Sequence, residues 1–419
     1  MIALTHVCQT WRQVFTSCST LWTNFHCVDA EKTEVYFKRS KESPIILRLT
    51  SCSDTSSSGP LCRTILNATS RLESLDFGGW VGWSEQTIAH FSAPAPLLRH
   101  LSMGVPQFPP TFLGGNPSSL RTLKLCSFPD TGLPWRNMVN LTSFTLDKPP
   151  PGESPMKQLL DFLESAPHLR EVHIPSIAPT PGAPTPNPQD DRLVSLRHLQ
   201  ELWICGGGPC SLLLNHLLIP IGAKLIMNIH ALDSRPEIHF PRNLSNLQNL
   251  DFREVHLATS RSRTKMVFTG PNGQVSMVVR CPAWPQPAFQ PSLSQYLVQM
   301  VTSETELLEM CLPSGTMVED SPSGVLLQME NLQTLDVCGS SPTLVTMVIQ
   351  ALDPGSNRSG VITCPRLRKV ILDQGDPHVQ AMEELARKRA LAGVELDVVA
   401  ITHEVSSGEG HGWGGGWGW

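Results

Sequence analysis

Apolar residues return along this chain in one phrase, Leu-x-x-Leu-x-Leu or a near variant. It runs through Leu72, Leu75 and Phe77; Leu98, Leu101 and Met103; Leu120, Leu123 and Leu125; Leu141, Phe144 and Leu146; Leu169, Val172 and Ile174; and Leu199, Leu202 and Ile204. It returns at Leu247, Leu250 and Phe252; Leu307, Met310 and Leu312; Leu332, Leu335 and Val337; and Leu367, Val370 and Leu372. The last two apolar positions of each phrase flank one residue that breaks the run. That period of two predicts a short strand with its apolar side chains inward. Helical spacing fills some of the intervals. Leu159, Leu160, Phe162 and Leu163 precede one phrase, and Leu344, Met347, Val348, Ala351 and Leu352 follow another at i, i+3, i+4, i+7.

Residues 1 to 50 follow a different pattern. Val7, Cys8, Trp11, Val14 and Phe15 form one helical stripe, which Ser17, Ser19 and Thr20 interrupt. An apolar segment from Leu21-Trp22 to Phe25 comes next. A second helix is predicted from Ala30 to Ser40, with Val35, Tyr36 and Phe37 as its bulky residues and Pro44 beyond its end. Ile45 to Leu49 reads as a strand, and Ser51 to Gly59 as a loop.

A phrase of this form recurring at roughly 20 to 30 residues marks leucine-rich repeats, which stack into a solenoid with parallel strands on one side. The repeat region spans 51–374, and its spacing is uneven. Five prolines between Pro179 and Pro188 make 178–191 a looped-out insertion, because proline continues neither sheet nor helix. Residues 258–290 fit no repeat. There Lys265 to Phe268 and Val275 to Val279 flank Gly270-Pro271-Asn272-Gly273, a hairpin signal. Residues 375–402 read as a closing helix and strand. Asp376 and Pro377 suit the helix start and Gly393 its end; Val379, Met382, Leu385 and Ala386 form its apolar face; Val394, Leu396 and Val398 then alternate. The Gly/Trp-rich tail 403–419 is expected to be disordered.

Composition narrows the function. Charged residues make up 16% of the 419 residues, and the formal net charge is −5. No basic face for nucleic acid is implied. The twelve cysteines show no zinc or disulfide spacing and read as reduced, structural thiols. No signal peptide, membrane span, cofactor motif or metal site is predicted, so the expected setting is cytoplasmic and/or nuclear. Catalytic motifs are missing too, and Gly206-Gly207-Gly208-Pro209 lacks the Lys-Ser/Thr of a phosphate loop.

The run Val7-Cys8-Gln9-Thr10-Trp11-Arg12-Gln13-Val14, followed by Ser19-Thr20-Leu21-Trp22, is similar to the F-box pattern of Val-Cys-x-x-Trp-Arg and then Ser/Pro-x-Leu-Trp. Val35 to Lys41 with Pro44 to Leu49, and Glu384 to Arg387 with Gly393 to Leu396, resemble the corresponding parts of the F-box/leucine-rich-repeat family of mushroom-forming fungi. The pattern's opening Leu-Pro-x-Glu segment and first helix have no counterpart before Val7, so the F-box likeness over 1–50 is partial. The resemblance implies an α/β fold: an irregular leucine-rich-repeat solenoid preceded by a partial all-α F-box-like segment. It also implies a non-catalytic substrate receptor of an SCF-type (cullin-RING) ubiquitin ligase. Val7, Cys8, Trp11, Leu21 and Trp22 would face a Skp-type adaptor or pack behind that face. The repeats would hold an unknown target protein. The alternative is a repeat protein uncoupled from any ligase.

Within the repeats, the residue between the two inward apolar positions points away from the core. These residues are Asp76, Ser102, Lys124, Thr145, His173, Trp203, Asp251, Cys311, Asp336 and Ile371. They share no sign or chemistry, which suits a protein partner better than a polyion. Trp203 is the strongest hot-spot candidate, with His173, Lys124, Asp251 and Asp336 as further partner-binding residues.

Overall fold

The computed structural model describes residues 8–27, 30–49, 65–77, 88–89, 91–104, 108–115, 117–129, 133, 135, 138–148, 153–177, 192–206, 213–230, 252–260, 263–271, 273–280, 304–311, 323–338, 342–356, 361–372 and 378–401. Val7, Asp251, the proline-rich stretch 178–191 and the tail 403–419 lie outside the described residues. The fold is mixed α/β, and the chain divides into two compact units near residue 230. Among the described residues, no helix is long and apolar enough to cross a membrane.

The first unit opens with α1 (Gln9–Ser17), a 3-10 turn (Ser19–Trp22), β1 (Asn24–Cys27), α2 (Ala30–Ser40) and β2 (Ile45–Leu49). The expected helices are present, but the segment reaching Phe25 becomes a strand that pairs in parallel with β2. Of α2's three bulky residues, Phe37 is buried, Tyr36 is half-buried and Val35 is exposed. Seven further strands extend the sheet, all parallel: β3 (Leu72–Asp76), β4 (His100–Met103), β5 (Thr122–Ser127), β6 (Ser143–Lys148), β7 (Glu171–Ile177), β9 (Glu201–Gly206) and β11 (Lys224–His230). Their register aligns Leu47, Leu75, Leu101, Leu123, Phe144, Val172, Leu202 and Leu225 in one line, and every one of them is buried. Each such side chain contributes roughly 1.5–3 kcal/mol by leaving water, so this line is a principal stabiliser of the unit.

Behind that line, Leu159, Leu160, Phe162 and Leu163 of α3 (Glu153–Ser165) are buried, as their spacing predicts. The turns into the strands are joined to one another: Ser119 Oγ donates to Pro96 O, and Asn140 Nδ2 to Ser118 O at 2.7 Å. After residues 178–191, the chain is fastened by Arg192, whose guanidinium bonds Asp161 at 2.6 Å and also Glu164, both on α3. The following β8 (Val194–Ser195) pairs with β10 (Leu217–Leu218) in a separate two-stranded sheet.

The second unit contains β12 (Glu254–Ser260), β13 (Arg263–Gly270), β14 (Gly273–Arg280), β15 (Leu307–Cys311), β16 (Thr334–Cys338), β17 (Lys369–Leu372) and β18 (Val398–Ile401). The hairpin read from 265–279 forms, with Gly270 opposite Gly273, and β12 joins it on the other side of β13 as an antiparallel strand. From β12 onward the order β12-β15-β16-β17-β18 is parallel.

Here the register corrects the phrases read from sequence. Val255, Leu308, Leu335 and Val370 align, as do Leu257, Met310, Val337 and Leu372. The phrases are therefore Phe252-x-x-Val255-x-Leu257 and Thr305-x-x-Leu308-x-Met310, not those beginning at Leu247 and Leu307. Thr305 takes the first leucine's place, fully buried, with its hydroxyl 3.4 Å from Phe252 O.

Among the described residues, three helices complete this unit: α4 (Ser323–Leu326), α5 (Pro342–Leu352) and α6 (Val379–Leu391). On α5, Val345 is buried where Met347 was expected, and Met347 is half-exposed. On α6, Met382 and Leu385 are buried as expected, together with Arg389. The Arg389 guanidinium donates to Leu352 O (3.3 Å), Thr363 O (3.0 Å) and Cys364 O (2.8 Å). Gly393, at φ +74°, follows the helix in the left-handed conformation that ends so many helices. The last strand begins only at Val398, so Val394 and Leu396 precede it rather than belong to it.

Candidate functional site

The parallel strands have one face on the core and one open to solvent, and the open face carries the partner-binding candidates. In the first unit, Trp203 of β9 lies between His173 of β7 and Ile226 of β11. All three are half-exposed. The His173 ring stands edge-on to the Trp203 indole, with centroids 5.7 Å apart. Glu201, one pleat earlier on the same face as Trp203, lies 3.6 Å from His173 Nε2 and 3.8 Å from Lys224 Nζ. The 3.6 Å separation is too long for a hydrogen bond, and His173 Nε2 is a buried atom with no hydrogen-bond partner. An amphipathic aromatic side chain thus sits beside an aliphatic one and is bordered by both signs of charge. Such a surface suits protein recognition, where exposed Trp serves as an anchor. Lys124 is exposed on β5, two strands from His173 and 3.5 Å from Asp147.

In the second unit, Asp336 of β16 is half-buried on the open face. The corrected register puts Glu309 of β15 beside it and His256 of β12 beyond. The sequence pattern assigns those two places to Cys311 and Asp251 instead. His256 Nδ1 is 2.6 Å from Glu309 Oε2, and its Nε2 is 3.7 Å from Glu254. The bond to Glu309 raises the imidazole's pKa above its ordinary value, outweighing burial, and the same bond holds the Glu309 carboxyl below its own. A His–carboxylate pair is part of many hydrolytic sites. Here the residues flanking His256 on adjacent strands are Val267 and Glu309, and neither offers a hydroxyl or thiol for the imidazole to activate. Among the described residues, no group of three or more His, Cys, Asp or Glu is placed to hold a metal ion.

The adaptor-facing candidates separate by burial. The α1 helix buries none of its residues, and Trp11 is 54% exposed, stacked on Phe15 at 5.5 Å. Val14, at 53%, is exposed as well. Cys8 is exposed and caps the helix, its Sγ accepting from Trp11 N at 3.4 Å. Leu21 is half-buried. Trp22 is fully buried: its Nε1 donates to Phe15 O at 2.7 Å, Tyr36 meets its ring edge-on, and the Arg39 guanidinium lies 4.3 Å from the ring centroid. Its part is packing rather than contact with a partner.

His256 and Glu309 are the residues that sequence reasoning missed. The signal was present in Phe252-x-x-Val255-x-Leu257, but leucine-only matching favoured the nearby Leu247 and Leu250. No protein-family model matches this chain, and no curated protein sequence matches it.

Proposed function

We propose that this protein is a non-catalytic interaction module, the substrate-recognition subunit of an SCF-type ubiquitin ligase. The partial F-box-like segment at its N-terminus would engage a Skp-type adaptor. An irregular leucine-rich-repeat solenoid would hold a target protein on its open strand face. The working compartment is the cytoplasm and/or nucleus. The observation that carries this reading is the pair of half-exposed neighbours His173 and Trp203, held opposite one another on the parallel strands β7 and β9. The exposed Trp11 and Val14 of α1 support a second contact at the N-terminal end.

Co-purification of the full chain with a Skp-type adaptor tests the ligase assignment. Binding that Trp11→Ala weakens supports it. No binding sinks it and leaves an interaction protein uncoupled from a ligase. For a target captured by the full chain, Trp203→Ala should weaken binding by more than about 1 kcal/mol. Unchanged affinity removes Trp203 from the site.

A further inference from the structure

The residues just before β4, β5, β6, β7 and β9 form a row that belongs to neither the aromatic pair nor the adaptor-facing segment. Backbone N–H groups link the row from strand to strand: Arg99 to Glu73 O, Arg121 to Arg99 O, Thr142 to Arg121 O and Arg170 to Thr142 O, each at 2.8 Å, then Gln200 to Arg170 O at 2.7 Å. Three of these residues are arginines, all exposed. Arg99 lies 3.8 Å from Glu73, a solvent-accessible pair that a competing anion can open. Arg121 and Arg170 make no ion pair among the described residues. Thr142 and Gln200 are neutral, and the Thr142 hydroxyl is committed to Arg121 O at 3.1 Å. The acidic residues nearby are Glu73 at one end, Glu171 next to Arg170 on β7, and Glu201 opposite Glu171 on β9, whose carboxylate lies toward His173 and Lys224.

We infer that this arginine row is a docking strip for an acidic polypeptide segment, one rich in Asp and Glu. The inference rests on reading the repeat strands as the target-binding part of the chain, and it names the chemistry of what binds where those strands begin. Adjacent strands lie about 4.8 Å apart, so the row offers guanidinium groups at about 5 and about 10 Å intervals. Alternate residues of an extended chain repeat at about 7 Å, within the reach of these flexible side chains. Guanidinium forks bind carboxylates through paired N–H donors, which gives the strip direction as well as charge. A nucleic acid is the less fitting occupant. The row has three cations, and the chain's formal net charge is −5, whereas phosphate-backbone binding draws on a broad basic face.

The test is fluorescence anisotropy of a fluorescein-labelled oligoglutamate peptide with the full-length protein. Binding should be present at low salt and weaken as sodium chloride rises. Replacing Arg121→Gln and Arg170→Gln together should weaken it about tenfold, the sum of two exposed charge contacts. Arg48→Gln, on β2 of the same unit, should leave it unchanged. Thr142→Arg, which fills the gap in the row, should tighten it about threefold. Unchanged affinity in the double variant overturns the proposal. Equal binding of oligolysine, or tighter binding of single-stranded RNA than of oligoglutamate, overturns it too. Should oligoglutamate bind through the row while the Skp-type adaptor does not bind, the ligase reading fails and the docking strip stands. Adaptor binding without oligoglutamate binding has the opposite meaning: the ligase reading stands and the docking strip fails.

Discussion

Replacing Arg389 by alanine is expected to destabilise the second unit by about 3–5 kcal/mol. The side chain is fully buried, and it serves carbonyls from two segments: the end of α5 at Leu352, and the turn at Thr363 and Cys364. Each carbonyl left unpaired in the interior costs about 1–3 kcal/mol, with the 3.3 Å contact at the low end. Loss of the long side chain also leaves a cavity. Against this, removing a buried guanidinium recovers several kcal/mol of desolvation. Burial lowers the pKa of this group, as expected for a cation drawn out of water, and its Nε finds no partner. Urea denaturation followed by far-UV circular dichroism gives the loss of stability. Hydrogen exchange should localise it to α5, to 361–372 and to α6. Arg389→Met separates the contributions, because it fills space but donates nothing, and about 2–3 kcal/mol of loss is expected from the orphaned carbonyls alone. An Arg389→Met protein as stable as the parent would refute the reasoning. It would mean that the three hydrogen bonds only balance the desolvation they offset.

The His256–Glu309 pair should confer a pH-dependent stability of about 1 kcal/mol. The raised His256 pKa makes its share fully present below the ordinary value of 6.5 and lost as pH climbs through the raised value. The lowered Glu309 pKa makes its share present above 4.5 and lost as pH falls through the depressed value. Both act together between 4.5 and 6.5, so urea midpoints measured across pH should peak there, and Glu309→Gln should flatten the profile; an unaltered profile in that variant would count against the pair. At the N-terminus, Trp22→Ala should cost about 3–5 kcal/mol, whereas Trp11→Ala should change the thermal midpoint little, within about 0.5 kcal/mol. Equal losses from the two would show that the burial difference does not govern their roles.

Much of the strand layout was legible in the chain, because burial of alternate residues leaves a direct trace in composition. Leu75, Leu101, Leu123, Phe144, Val172 and Leu202 are the inward positions both by pattern and by register. The trace failed where a polar residue took an inward place. Thr305 is buried, and its presence shifted the phrase near it by two residues and hid Glu309. Period-two reasoning tolerates such a shift of two, since the same face stays apolar, and only the pairing of neighbouring strands resolves it. Arg389 was unreadable for a related reason: a charged residue on a helix is assigned to solvent unless its acceptors are known. Trp203 and His173 were each identified from sequence, but their edge-on contact depends on β7 and β9 being neighbours with no β8 between them.

The Arg192 fork onto α3 has a practical corollary. The chain leaves β7 at Ile177 and returns at a side chain fastened to two carboxylates, so both ends of the intervening stretch are held by the fold itself. Lengthening a connection with fixed ends costs only about 0.6 kcal/mol per doubling. This interval is therefore a natural port for an epitope tag or a fluorescent protein.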